Sequence, residues 1–302
     1  MQEPWIRQIL GRAAALTLAF CVGNAHAESG KLLLTGGMSS IDGAAGGGLT
    51  PWALTGSHAT NRELGGTAYA TRVRTRDYAL TVAGAALAYD DRFELSVASQ
   101  DFDTGRTGPA LGLPGLRLEQ DIVGVKLRVF GEAILDSDTG LPQLAVGAEF
   151  KHARPAGLAP TLATLGAKTR GTDLYASATK LFLAHGVLAN LTLRATKANQ
   201  NGLLGFGGTA HSSYRVLPEV SIAYLLSRRI AIGAEYRAKP DNLNPSVLGA
   251  GLKEDAWSDV FIAWGVNKNV SFTLAWVDLG AIVPAVVPQR QRGAYVSAQF
   301  AL

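Results

Sequence analysis

The sequence is poor in cysteine, in charged residues and in long apolar runs, and each shortage excludes a class of protein. Cys21 is the only cysteine among 302 residues, which excludes a scaffold held together by disulfides. Charged residues make up 17% of the chain and hydrophobic residues 47%, a balance too apolar for an intrinsically disordered protein. Beyond residue 25, no apolar run approaches the roughly 20 residues of a membrane-spanning helix. A soluble globular protein or a membrane β-barrel remains.

The N-terminus has the layout of a secretory signal peptide. Arg7 and Arg12 precede the apolar stretch 13–22, and an A-x-A pattern ends at Ala27. A positive segment, a short apolar segment and small residues at the cleavage site are the features of a cleaved leader. We therefore predict a signal peptide over 1–27 and a mature chain without cysteine, which suits an oxidising compartment.

Apolar and polar residues alternate with a period of two in many segments of about ten residues. The clearest runs are 122–130, 187–197 and 270–276. Such alternation predicts a strand with one apolar and one polar face. A tilted strand of about ten residues can cross a bilayer, whereas strands of soluble proteins have typically about 5–6 residues. Together with the leader, this predicts an all-β protein, a transmembrane antiparallel β-barrel.

The pattern predicts about 12 strands, joined mostly by alternating short and long links. They lie near 67–75, 78–89, 92–102, 119–130, 142–151, 172–184, 187–198, 215–226, 229–238, 256–267, 269–278 and 292–302. Two links depart from the alternation, because 76–77 is short and 131–141 is long. Short turns on one side, long loops on the other and an even strand number are typical of bacterial outer-membrane barrels. We expect the barrel domain to occupy 67–302.

The glycine-rich N-terminal segment 28–66 differs from the rest of the chain, because it contains 10 glycines. Two interpretations stay open. The segment either adds a hairpin, which gives about 14 strands, or folds into the lumen of a 12-strand barrel as a plug. The tract 43–48 favours the plug, because glycine permits close packing but loses much conformational entropy when it is ordered.

Four stretches carry a resemblance to a known family. They are Gly46–Ala53, Ala110–Leu116, Ile134–Asp138 and Trp276–Gly280. In these stretches, and over essentially the whole mature chain, the sequence resembles an uncharacterised proteobacterial family, catalogued as a domain of unknown function. The resemblance implies an outer-membrane barrel. It implies no activity and no catalytic residue.

The polar faces of the predicted strands carry charges of both signs. In a barrel these faces line a wet lumen, while the apolar faces meet lipid. The predicted lumen-lining charges are Glu94, Lys126, Arg128, Glu149, Lys151, Arg194, Glu235 and Arg237. A path lined in this way suits small polar solutes. We therefore expect a channel or selective pore. The alternatives are a non-conducting structural barrel or interaction platform, a barrel enzyme with a site at its rim, and a soluble periplasmic β-protein.

Two turns repeat the triplet Asp-Thr-Gly, at Asp103 and Asp138. Aspartic proteases use this triplet to pair two carboxylates, but the predicted topology puts these two turns on opposite sides of the barrel. With Asp101 and Asp136, the same turns resemble truncated calcium loops that lack the terminal glutamate. Calcium binding there stays open. We predict no catalytic residue, no cofactor and no metal site.

The expected partners follow from the predicted location. Phe300 and Leu302 share one face of the last predicted strand, similar to the C-terminal signal that barrel-assembly machinery reads. We expect contact with outer-membrane lipid, with that machinery and with an unidentified small polar solute. The net charge is only +4, without a basic patch interleaved with aromatics, so nucleic acid is not expected. Aromatic residues of the strands are candidates for interfacial girdles: Tyr224, Tyr236, Trp257, Trp264, Trp276 and Tyr295.

Overall fold

The structure is a computed structural model, and it describes most of the predicted mature chain. The described residues are 34, 38–60, 62–133, 140–245 and 251–302. The predicted signal peptide and the turn with Asp136 and Asp138 lie outside them. Among the described residues, no helix is long and apolar enough to span a membrane.

Twelve antiparallel strands form a closed barrel in which sequence neighbours pair and β1 pairs with β12. The strands are β1 Leu64–Thr75, β2 Ala79–Tyr89, β3 Phe93–Asp103, β4 Arg117–Phe130, β5 Gln143–Arg154, β6 Arg170–Phe182, β7 Val187–Thr196, β8 Arg215–Leu225, β9 Ile230–Arg237, β10 Trp257–Gly265, β11 Val270–Asp278 and β12 Arg292–Ala301. The predicted barrel of 12 strands is confirmed. The alternative of 14 is wrong, because β1 and β12 close the sheet directly.

Side chains alternate between the outside and the inside of the barrel. In β7, Leu191 and Leu193 are about half exposed, while Thr192 and Arg194 are buried. The outer surface is mainly apolar because the same alternation repeats around the barrel, although Arg72 and Arg74 of β1 are exposed near the loop end. Its exposed apolar residues include Val123, Val125, Phe150, Ile222, Ile262, Leu274 and Phe300.

The connections divide the barrel into a turn end and a loop end. The described residues of the turn-end connections are 90–92, 131–133, 140–142, 183–186, 226–229 and 266–269. Those of the loop-end connections are 76–78, 104–116, 155–169, 197–214, 238–245 with 251–256, and 279–291. The loop end also carries two short helices, α1 (Thr107–Ala110) and α2 (Ala159–Thr164).

The five longer loop-end connections pack over that end of the barrel, and we call them the loop cap. Their buried apolar side chains form one cluster with the strand ends. The cluster includes Leu116, Leu162, Leu165, Leu203, Leu204, Leu243, Leu252, Leu279, Ile282 and Val287. An apolar cavity of about 120 Å³ lies among them, next to Phe102 and Trp257. The loop end is therefore covered by apolar packing.

Exposed aromatic residues lie near both ends of the outer surface. Tyr224 and Trp264 are exposed near the turn end, and Tyr236 and Trp276 are exposed near the loop end. This is where an aromatic girdle meets the two membrane interfaces.

For two residues the girdle prediction is wrong. Tyr295 is buried, because its position in β12 faces the interior. Trp257 is also buried, because it begins β10 beneath the loop cap and packs into the apolar cluster.

Candidate functional site

Residues 38–60 lie inside the barrel, and we call this segment the plug. Every residue from 38 to 59 is buried. The plug adds no strand to the barrel and instead forms tight turns, in which Ser40 N donates to Ala44 O and Gly47 N to Thr50 O, each at 2.9 Å. Gly43 has a φ of +101°, a conformation that glycine adopts without steric cost.

One side of the plug is held by Glu235 of β9. The Glu235 carboxylate accepts hydrogen bonds from Leu49 N at 2.9 Å and from Thr50 Oγ1 at 2.7 Å. Ser221 of β8 lies 2.5 Å from the same threonine oxygen. A side chain at Gly47 would overlap the Glu235 carboxylate, so the close approach of plug and wall requires glycine there.

The opposite side is held by an ion pair of β3 and β4. Glu94 accepts from the backbone N–H groups of Ala45 at 3.0 Å and Gly56 at 2.7 Å. Lys126 Nζ donates to Ala45 O and to Leu54 O, each at 2.8 Å, and lies 3.2 Å from Glu94. The pair thus satisfies four buried backbone groups of the plug.

Between these two sides, neutral side chains of the wall bind the plug backbone. Thr192 Oγ1 donates to Pro51 O at 2.8 Å. Ala53 binds two wall residues, donating to Thr179 Oγ1 at 2.8 Å and accepting from Gln143 Nε2 at 2.6 Å. Strands β3 to β9 each contribute at least one polar side chain that contacts the plug. Apolar side chains of the plug, such as Trp52 and Leu54, also pack against the wall.

A carboxylate of the plug, Asp42, is surrounded by five donor side chains, which we call the Asp42 cradle. Asn201 Nδ2 lies 2.6 Å from Asp42 Oδ1, and Arg237 Nη1 lies 2.7 Å from Asp42 Oδ2. The other three donors are Gln100 Nε2 at 3.4 Å, Lys151 Nζ at 3.5 Å and Arg194 Nη2 at 3.8 Å. The ion pairs that Asp42 forms with Lys151, Arg194 and Arg237 are buried.

Three carboxylates of the barrel wall fix the basic members of the cradle. Arg194 lies 2.6 Å from both Glu149 and Glu219, and Lys151 lies 2.9 Å from Asp173. Arg237 also reaches Glu219, at 3.1 Å. These contacts join wall to wall and orient the basic side chains, and Arg237 also donates to Leu49 O of the plug at 3.1 Å.

The segment Asn199–Gly202 is part of the loop cap and links the cradle to the 238–256 connection. Gln200 N lies 3.0 Å from both oxygens of Glu254, and Lys239 Nζ donates to Gln200 Oε1 at 2.7 Å. Burial raises the pKa of Glu254 to about 7, although Lys239 opposes the shift. Burial also lowers the pKa of Lys239 to about 8, opposed by Glu254.

The structure places the eight predicted lumen-lining charges in two regions. Seven are buried and point inward: Glu94, Lys126, Glu149, Lys151, Arg194, Glu235 and Arg237. Arg128 lies apart at the turn end, where it is partly buried and pairs with Asp91 at 2.7 Å and with Glu132 at 3.1 Å. All seven inward residues lie in the wall around the plug.

Sequence reasoning missed several residues of this site. Asp173 and Glu219 lie on inward positions of β6 and β8, so the period of two contained a signal for both. Asp42 and Asn201 lie in irregular segments, where no sequence pattern predicts that the two residues are in contact.

Asp101 and Asp103 pair with a base instead of converging on an open cation site. Arg117 lies 2.7 Å from Asp101 and 3.4 Å from Asp103. Asp103 also accepts from Gly105 N at 2.9 Å. Within the described ranges, no group of three or more histidine, cysteine or acidic residues is placed to hold a metal ion.

One family model matches most of the chain. The family model described as "Protein of unknown function (DUF3034)" matches residues 35–299, which confirms the predicted resemblance to a family of unknown function. A comparison with curated protein sequences finds no significant match.

Among solved structures, the chain is similar to several outer-membrane barrels. The NanC porin shares 7% identity at a TM-score of 0.49, over 78% of this chain and 100% of that chain. The COG4313 outer membrane channel from Pseudomonas putida F1 shares 11% at 0.44, over 81% and 96%. Outer membrane phospholipase A from Escherichia coli, whose name is that of an enzyme, shares 10% at 0.42, over 78% and 92%. The similarity concerns the fold.

Proposed function

We propose that this chain, which belongs to the family of proteins of unknown function DUF3034, is an outer-membrane channel closed by its plug. The observation that carries the proposal is the polar interface between plug and wall. Pro51, Ala53 and Leu49 are held through backbone groups by polar wall side chains. Water can replace such hydrogen bonds, so the wall can be hydrated when the plug moves away.

The outer surface supports the proposed location. Most of its exposed residues along the strands are apolar, with Arg72 and Arg74 near the loop end of β1 as exceptions, and aromatic residues lie near both ends. An apolar band flanked by aromatic girdles is the surface that a barrel presents to a bilayer. The predicted signal peptide over 1–27 and contact with the barrel-assembly machinery remain predictions that agree with this location.

The inward charges support a polar solute. The wall carries both acidic and basic side chains, among them Glu94, Lys126 and Glu235, and such a lining lowers the cost of moving a hydrated solute. We propose passage of small polar solutes and no catalysis. The main competing function is a non-conducting barrel, because both the plug and the loop cap obstruct the lumen.

A reversible lock on the plug tests the proposal. The hydroxyl oxygens of Thr50 and Ser221 lie 2.5 Å apart, so the double variant Thr50→Cys/Ser221→Cys brings two thiols together. Since Cys21 is the only native cysteine, the mature variant has no competing thiol. We expect openings in planar bilayers under reducing conditions and their loss on oxidation.

A matched control forms a disulfide that leaves the plug free. Thr71 and Ser297 face each other on β1 and β12, with their hydroxyl oxygens 2.8 Å apart. Oxidation of Thr71→Cys/Ser297→Cys should leave openings unchanged. Two results would favour the non-conducting barrel. The Thr50/Ser221 variant would show equal conductance in both redox states, or a variant that lacks 38–60 would show no channel openings.

A further inference from the structure

We infer that the Asp42 cradle is a binding site for the carboxylate of a small anionic solute, and that Asp42 occupies this site in the closed channel. The inference rests on the proposed function, because the solute reaches the cradle only when the plug moves. It assigns a chemical class, a carboxylate, to the solute.

The donor set of the cradle matches a carboxylate. Arg237 and Arg194 present planar guanidinium groups, which suit paired carboxylate oxygens, and Lys151 adds an ammonium group. Gln100 and Asn201 add neutral N–H donors from β3 and from the loop cap. Because the donors come from several strands and one connection, they surround the carboxylate of Asp42.

The cradle keeps its shape without Asp42. Glu149, Asp173 and Glu219 hold the three basic side chains through contacts between wall residues. These three acids balance the three bases, so Asp42 contributes one extra negative charge. A solute carboxylate brings the same charge to the same donors.

Binding at the cradle couples the solute to opening. A carboxylate can enter only if Asp42 leaves, so it binds the displaced plug conformation and shifts the population toward it. Asn201 belongs both to the cradle and to the connection that meets the loop cap. Binding of a solute carboxylate at the cradle is thereby linked to the loops at the loop end of the barrel.

Chemical rescue tests the inference. Asp42→Ala removes the internal carboxylate and is expected to raise the open probability in planar bilayers. The buried plug encloses the vacated cradle in the closed variant, where charge-assisted hydrogen bonds are stronger than in a hydrated open lumen. Sodium acetate should therefore bind the closed state better and lower the open probability about tenfold relative to sodium chloride at equal ionic strength, the size expected when such hydrogen bonds are restored. In the wild-type protein acetate should have the opposite effect, because it competes with Asp42.

Thr50→Ala is the matched control. It also loosens the plug, since it removes a hydrogen bond to Glu235, but it leaves the cradle occupied by Asp42. Acetate should therefore not close Thr50→Ala. Heat-modifiable migration in detergent gels shows whether each variant has folded, and the wild-type arm tests the inference if Asp42→Ala does not fold.

The outcomes separate this inference from the proposed function. If Asp42→Ala or the wild-type channel responds identically to acetate and chloride, the carboxylate site is wrong while the plugged channel stands. Closure of Thr50→Ala by acetate also overturns the site, since it shows a general anion effect. Failure of the channel itself shows in the redox experiment with the Thr50/Ser221 variant, which uses no carboxylate.

Discussion

Leu191 and Thr192 are neighbours in β7, but their side chains meet different surroundings. Leu191 is about half exposed on the outer surface. Thr192 is fully buried and donates to Pro51 O of the plug. With an open, wet lumen, the alternation alone would lead us to expect that an arginine at Thr192 is tolerated. The plug makes that expectation wrong, because the position has no free space.

The two positions should respond to arginine in different ways. Leu191→Arg places a charge against lipid, which costs about 2–4 kcal/mol near the bilayer midplane, so the yield of folded barrel should fall. Thr192→Arg should allow the barrel to form but displace the plug. Heat-modifiable migration measures the first effect, and protease cleavage within 38–60 measures the second. Equal assembly defects with an intact plug in both variants would contradict the assigned faces.

At the scale of elements, the loop-cap segment Asn199–Gly202 contacts the plug, the wall and the 238–256 connection. Asn201 binds Asp42 and Lys151, while Gln200 binds Glu254 and Lys239. The chain folds tightly here, and Gln200 and Asn201 both have positive φ values. We therefore expect any movement of the 238–256 connection to reach the cradle through this short segment.

The closure of the loop cap should depend on pH. The pKa of Glu254 is about 7 in the closed arrangement, against an ordinary 4.5, so the closed arrangement binds more protons between these values. It is therefore destabilised as pH rises from 4.5 to about 7, by up to about 3 kcal/mol. Lys239, with a pKa of about 8 against 10.5, reverses the trend above pH 8. Arg237 lowers and Asp255 raises the pKa of Lys239, while Asp241 raises the pKa of Glu254.

Hydrogen exchange of peptides from 238–256 measures this effect. Comparison with Glu254→Gln at each pH removes the intrinsic pH dependence of exchange. We expect wild-type protection, relative to the variant, to fall between pH 5 and 7. A constant ratio across this range would show that Glu254 does not titrate with closure.

At the scale of the whole molecule, the barrel closes without help from the plug. All twelve strand pairings, including β1 with β12, are made between strands. The plug contributes side-chain and backbone contacts to the wall and forms only isolated bridges of its own. The wall charges Glu94 and Lys126 would remain paired with each other when the plug is absent.

A variant that lacks residues 38–60 should therefore still fold. We expect both the variant and the intact protein to migrate faster unheated than boiled in detergent gels, because the strand hydrogen bonds persist. Its midpoint of thermal unfolding should be lower, since the buried polar contacts of the plug are lost. Loss of heat-modifiable migration would show that the plug is needed for assembly.

The sequence by itself predicted the bounds of the twelve strands to within three residues and the outward or inward direction of most side chains, whereas the pairing of β1 with β12 decided against two further strands. The reason is local, because successive side chains of a strand point to opposite faces whatever the rest of the chain does. It also predicted the buried charges of the wall, such as Arg194 and Arg237. It did not predict what these charges bind.

Only the tertiary structure decided the contacts of the site. Asp42 and Arg237 are 195 positions apart, and they meet because the barrel closes and the irregular plug turns inside it. No local periodicity encodes that path. The same holds for Tyr295 and Trp257, whose aromatic side chains suit a membrane interface by type but are buried by their places in the closed barrel.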